Sequence, residues 1–82
     1  MNSKKVLINN LDKIHTTEMG VSRIRRNLNL EDVDVVDYCI EVIKDFECKI
    51  ERCGKNYYCY KDNIVITVNA YSYTIITAHL KK

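Results

Sequence analysis

The chain has 82 residues, 46% of them hydrophobic and 29% charged, with a formal net charge of +2 at neutral pH. That length predicts one domain over residues 1–82 with no room for a second, and the apolar fraction is far from the regime of disordered chains. No apolar run approaches the ~20 residues of a membrane-spanning helix, so no membrane partner is expected.

The amino-terminal apolar stretch, Val6-Leu7-Ile8, is too short for a secretory signal, and a cytoplasmic protein is expected. Cys39, Cys48, Cys53 and Cys59 are irregularly spaced and contain no C-x-x-C. They read as reduced thiols rather than as a zinc knuckle or a redox pair, and no metal or other cofactor is implied.

Residues 4–14 place Leu7, Leu11 and Ile14 at i, i+4 and i+7, which predicts a short helix with one apolar stripe and Ser3 as its cap. After His15, Thr16 or Thr17 can accept a hydrogen bond from the free amides of a new turn, so a second helix is predicted from near Thr17. Val21, Ile24 and Leu28 form its apolar side, Arg23 and Arg26 project from the opposite side, and Arg25 lies on the flank. Gly20 costs a helix about 1 kcal/mol relative to alanine, which points to a close backbone approach or an irregular first turn. Asn27 or Asn29 ends this helix or caps the next. The third helix is predicted over about 31–46, with Val33, Val36, Ile40, Ile43 and Phe46 on its inner face and Cys39 beside them. Glu31, Asp32 and Asp34 suit the positive end of its dipole.

From Cys48 the apolar period changes to two. Residues 48–52 alternate, Cys53-Gly54-Lys55-Asn56 reads as a turn, Tyr57-Tyr58-Cys59-Tyr60 as an aromatic strand, and Lys61-Asp62-Asn63 as a second turn. Residues 62–80 form a hairpin around Asn69-Ala70-Tyr71-Ser72. Strict alternation puts Ile64, Ile66 and Val68 in the core, with Ile76, Ala78 and Leu80 sharing one face of the last strand. Tyr73, Ile75, Thr77 and His79 then share the other. The predicted fold is α+β, with three N-terminal helices packed on one face of a four-stranded antiparallel meander sheet. The hairpins contain no proline to block their edges, so a homo-oligomer paired through strand edges is one expected assembly.

Charge is unevenly distributed. Residues 31–47 carry seven carboxylates against Lys44, a balance of −6 that leaves +8 on the remainder. Such a remainder suits RNA or another anionic partner. His79, on a strand face with Thr77 and Tyr73, is the sharper candidate for acid–base chemistry, because imidazole titrates near neutral pH. His15 is the second, at a helix junction beside two threonines. Arg23, Arg25 and Arg26, with Lys4, Lys5 and Lys13, form the densest basic cluster, and guanidinium forks match phosphate oxygens. The six tyrosines suit base stacking or cross-strand packing. Gly-x-Gly-x-x-Gly, Walker, H-E-x-x-H and G-x-S-x-G motifs are absent.

The stretch Leu11-Asp12-Lys13-Ile14-His15-Thr16-Thr17-Glu18-Met19-Gly20, then Arg23-Ile24 and Asn27-Leu28, with Val68-Asn69-Ala70-Tyr71-Ser72-Tyr73-Thr74-Ile75-Ile76-Thr77-Ala78-His79, resembles a small bacterial family described only as a domain of unknown function. The resemblance covers nearly the whole chain and implies no activity. At the level of fold the chain is also similar to the barnase, EndoU, colicin and RelE class of ribonucleases, which place helices before a four-stranded antiparallel sheet. Thr77-Ala78-His79 stands where that class often ends its last strand in Thr-Ala-aromatic.

Two functional readings follow. In the first, the domain is an RNA-acting, metal-independent nuclease of a toxin-like kind. His79 and His15 shuttle protons, Arg23 stabilises phosphorane charge, and Arg26, Arg25, Thr77 and Tyr73 bind substrate. In the second, it is a non-catalytic binding or inhibitor protein from a phage or mobile element, acting through its sheet face or its acidic third helix.

Overall fold

In the computed structural model, which describes residues 3–81, the chain forms α1 (Ser3–Ile8), a 3-10 turn (Leu11–Lys13), α2 (Glu18–Asn27) and α3 (Val35–Lys44). The strands β1 (Lys49–Cys53), β2 (Asn56–Lys61), β3 (Ile64–Asn69) and β4 (Ile75–Leu80) follow. The single first helix expected over 4–14 is therefore divided. Asn10 is the reason: its side-chain amide donates to the Val6 carbonyl at 2.8 Å, a local bond that competes with helix continuation. Ser3, expected as the cap, is the first helical residue. Leu7 and Ile14 still reach the core, with Leu11 packed against it.

The start of α2 matches the expectation, with the Thr17 hydroxyl accepting from the Gly20 amide at 3.0 Å. Its end is a left-handed cap at Asn29, φ 56°, closed by hydrogen bonds from Leu30 N–H to the Arg25 carbonyl and from Asn29 N–H to the Arg26 carbonyl. Helix α3 starts later than expected, because Asp34 accepts from the Asp37 amide at 3.0 Å and sets the first turn there. Val33 falls outside the helix and Phe46, past its end, is 88% exposed. The buried side is Val35, Cys39, Val42 and Ile43, with Val36 and Ile40 at its margin. The apolar pairs Val35-Val36 and Val42-Ile43 permit either phase, and packing selects the one centred on Cys39.

The strands pair antiparallel in the order β1-β2-β3-β4. Gly54, at φ +61°, takes the first position of the two-residue turn between β1 and β2, where a side chain would be strained. One cross-strand row is Ile50, Cys59, Ile66 and Ala78, and it faces the core. The rows Lys49-Tyr60-Val65-His79 and Glu51-Tyr58-Thr67-Thr77 face the other way. The alternation expected along the last strand fails at one point. Thr67 pairs with Thr77 and Val68 with Ile75, so a bulge inserts Ile76. Ile75 turns into the core at 2% exposure and Ile76 is left outside at 46%.

Helical residues Leu7, Ile24, Val35, Cys39 and Ile43, with Leu28 just past the end of α2, join Cys59, Ile66, Val68, Ile75 and Ala78 of the strands in one apolar cluster. Contacts run from α1 to β1, from α2 to β4 and α3, and from α3 to β2. Among the described residues no helix is long and apolar enough to cross a membrane.

Burial pushes the Cys39 thiol from 9.0 up to about 12. The folded chain then holds a proton that the unfolded chain releases. Stability from this group is complete below pH 9 and falls as pH rises toward 12, by about 1.4 kcal/mol per pH unit. Urea midpoints measured between pH 8 and 10.5 should decline more steeply for the unmodified chain than for Cys39→Ala, by about one proton's worth.

Candidate functional site

His15 is placed by backbone pairing rather than by a helix. Its N–H donates to the Tyr73 carbonyl at 3.2 Å and its carbonyl accepts from Ile75 N–H at 2.8 Å, an isolated parallel bridge to Thr74. Thr16 adds a hydroxyl bond to the Ile75 carbonyl at 3.0 Å. Around this join the polar side chains form a chain. His15 Nδ1 lies 2.9 Å from the Lys13 carbonyl and Nε2 lies 3.1 Å from Thr74 Oγ1. Thr74 Oγ1 is 2.8 Å from Ser72 Oγ, whose single hydroxyl proton serves either that contact or Asn69 Oδ1 at 3.2 Å. A carbonyl can only accept, so the neutral ring carries its proton on Nδ1 and Nε2 accepts from Thr74.

That pairing of an oriented imidazole with a hydroxyl is the first part of a nucleophile and base. The amides of the β3–β4 turn are not free to hold developing negative charge. The Tyr71 and Ser72 amides are taken by Asn69 Oδ1 at 2.9 and 2.8 Å, and the Thr74 amide by Ser72 Oγ at 3.3 Å. We read the cluster as a latch that holds the β3–β4 turn. Tyr73 sits inside it at φ +60°, a left-handed conformation costing a bulky residue about 1–2 kcal/mol, held by its bonds to Asn69 and His15. It is therefore in the turn, not on the strand face expected for it. Lys13 Nζ lies 5.7 Å from its ring centroid.

His79 is exposed, with Nδ1 3.4 Å from the Leu80 carbonyl. It shares the outward side of β4 with Thr77, as expected. His15 is bridged to Thr74 at the other end of the strand, and at about 3.3 Å per residue the two histidines are on the order of 15 Å apart. A proton-shuttling pair must flank one reacting group within hydrogen-bond reach. The structure does not bring these two rings together.

The basic cluster is also divided. Lys4 donates to the carbonyls of Asp45, Phe46 and Cys48 at 3.1, 3.1 and 2.6 Å. Arg25 donates to the Glu31 and Val33 carbonyls and ties the α2–α3 link. Arg23 and Arg26 are exposed and, among the described residues, make no ion pair. They line a shallow surface depression with Glu18, Met19 and Ser22, and neither histidine lines it.

The outward sheet rows gather what remains. Tyr60 stands between Lys49 and Val65, and Tyr58 between Glu51 and Thr67. Val65 and Thr67 are only 9% and 6% exposed, yet neither they nor the two tyrosines belong to the core cluster. Asn56, in the next row, donates to the Tyr58 hydroxyl at 3.4 Å, while its own Oδ1 is buried with no partner among the described residues. Among the described residues no three His, Cys, Asp or Glu side chains converge to hold a metal ion. Sequence reasoning named His15, His79, Thr77 and Tyr73 but missed Ser72 and Thr74; the Asn69-x-x-Ser72-x-Thr74 spacing, which suits local side-chain turns, was the available signal.

These features define a small α+β domain with a meander sheet and a latched amino-terminal turn. A family model described as Protein of unknown function (DUF3781) matches residues 8–79, and the chain belongs to that family. No curated protein matches the chain, and no solved structure does, of the ribonuclease class or any other.

A Cβ added at Gly20 would lie 2.2 Å from Thr16 Oγ1, the atom that holds the Ile75 carbonyl. Gly20→Ala should therefore destabilise the unmodified chain despite a helix-propensity gain of up to about 1 kcal/mol. In a Thr16→Ala background, where the clash is gone, the same change should be neutral or stabilising. Urea unfolding of the four chains of this double-mutant cycle measures the reversal.

Proposed function

We propose that this domain binds single-stranded RNA without cleaving it, on the sheet face that carries Tyr58 and Tyr60. The reading rests on those two rings. They are alternate residues of a central strand, about 7 Å apart, on a side of the sheet with no member of the core cluster. We infer that the helices cover the opposite face, since the helical core residues cluster with the inward row of Ile50, Cys59, Ile66 and Ala78.

Aromatic rings on an open sheet stack on splayed bases, and their faces accept any base. Lys49 stands at one end of the Tyr60 row, where a cation meets phosphate, with His79 at the other end, and Thr77 offers a hydroxyl to base edges or to the ribose. In this reading His79 contacts phosphate and is not a general acid. The separation of the histidines and the lack of amides for an oxyanion favour binding over hydrolysis. The acidic third helix is the weaker docking surface: Glu41 pairs with Lys44 at 2.9 Å, and Asp34 and Asp45 accept backbone amides nearby.

Fluorescence anisotropy with a labelled uridine-rich oligoribonucleotide at low salt tests the proposal. Tyr58→Leu and Tyr60→Leu should each weaken binding about 5- to 100-fold, the worth of one stacked base, while circular dichroism stays unchanged. Affinity should fall as salt rises, because Lys49 displaces counterions. Absence of binding at 20 mM salt overturns the reading. Loss on Arg23→Gln or Arg26→Gln, with both tyrosine variants unaffected, moves the site to α2 instead.

A further inference from the structure

Cys48 and Cys59 come together only in the folded chain. Ile50 pairs with Cys59 across β1 and β2, so Cys48, two residues upstream on the same side, is the diagonal neighbour of Cys59. Both are buried and both are free thiols. Cys48 lies one residue before β1, outside the paired register, with its N–H on the Asp45 carbonyl and its own carbonyl on Lys4.

We propose that Cys48 and Cys59 are a peroxide-oxidisable dithiol that closes to an intramolecular disulfide, with Cys48 as the attacking sulfur and Cys59 as the resolving one.

The charges around the pair divide these roles. The hydrogen bond from Cys59 lowers the Cys48 pKa from its ordinary value, helped by the ammonium groups of Lys4 and Lys61, while burial and Asp45 work against it. Cys59 is pushed the other way by that same hydrogen bond and by burial, so it keeps its proton. Lys4 is fixed over this end of β1 by its bond to the Cys48 carbonyl at 2.6 Å, and Lys61 pairs with Asp45 at 3.6 Å. Lowering the Cys48 pKa raises the share of thiolate, which is the nucleophilic form.

In the first step Cys48 sulfur attacks the hydroperoxide. An S–O bond forms, the O–O bond breaks, and the second oxygen leaves as alcohol or water after taking a proton. Cys48 is then a sulfenic acid. Cys59 sulfur attacks it, the S–S bond forms, and the S–O bond breaks. Oxygen departs as water with the Cys59 proton. Two thiols lose two electrons, and one hydroperoxide is reduced to one alcohol (water, for hydrogen peroxide) and one water. Cys39 is also buried but lies on α3, and Cys53 is exposed at the far end of β1.

The test treats the native full-length chain with one equivalent of hydrogen peroxide, then alkylates it in denaturant and maps the peptides by mass spectrometry. The expected product is a monomer 2 Da lighter, with Cys48 linked to Cys59 and with Cys39 and Cys53 alkylated. Cys53→Ser should give the same link at the same rate. Cys59→Ser should give no link and instead a dimedone adduct at Cys48. Because that variant alters the core, Cys59→Ala and the unmodified chain treated with dimedone at short times serve as second readings of the same adduct. Full alkylation of Cys48 and Cys59 after peroxide, or oxidation confined to Cys53, overturns the proposal.

Discussion

Two backbone hydrogen bonds, from His15 to Tyr73 and from Ile75 to His15, join the end of the amino-terminal turn to the first residue of the last strand. The partners of Thr16 and His15 in this join are 59 residues away along the chain, so the loop it closes contains most of the domain. Closing a loop that long carries an entropy cost that one weak bond would not offset. The join is accordingly multiple, with Thr16 on Ile75, His15 on Thr74 and Lys13 over Tyr73. Starting α2 at Thr17, directly after the join, lays that helix beside β4, where Asn27 reaches the Ala78 carbonyl at 3.2 Å. Gly20 follows from the same constraint, since Thr16 occupies the space a side chain would need.

The join also decides which surfaces remain for partners. Outward backbone groups of β4 at Ile75 and Ala78 are occupied by residues 15, 16 and 27. Half of the basic residues singled out as phosphate ligands hold carbonyls or a ring inside the fold instead. The sheet rows with Tyr58, Tyr60 and Thr77 take no part in these structural bonds. Each of these tyrosines has a cross-strand neighbour on both sides, which would make the proposed binding surface a rigid one.

Much of the architecture was legible in the residues. The change of apolar period at Cys48, the turns at Gly54 and Asp62, and the threonine cap of α2 are local signals, each decided by the conformational preferences of a few adjacent residues. The misreadings have local form but distant causes. The stripe Leu7-Leu11-Ile14 is real, yet Asn10 breaks the helix that would carry it. Phe46 continues the apolar spacing of α3 and is nevertheless exposed, because Asp45 is already the helix end. Ile75 and Ile76 exchange faces because of a bulge set by the latched turn, which no period-two pattern contains.

By itself the sequence determined the kinds of elements, their order and the hairpin turns, because backbone propensity, capping and the two-residue period act over short spans. It also named His15, His79 and the arginines as chemically capable groups. Only the tertiary structure decided that the histidines lie at opposite ends of one strand and that Lys4 and Arg25 serve the backbone. It alone decided that Cys48 and Cys59, with no pairing motif between them, meet across a hairpin. Those outcomes depend on register and on contacts between residues far apart in the chain, and spacing along the chain carries no record of distance across a sheet.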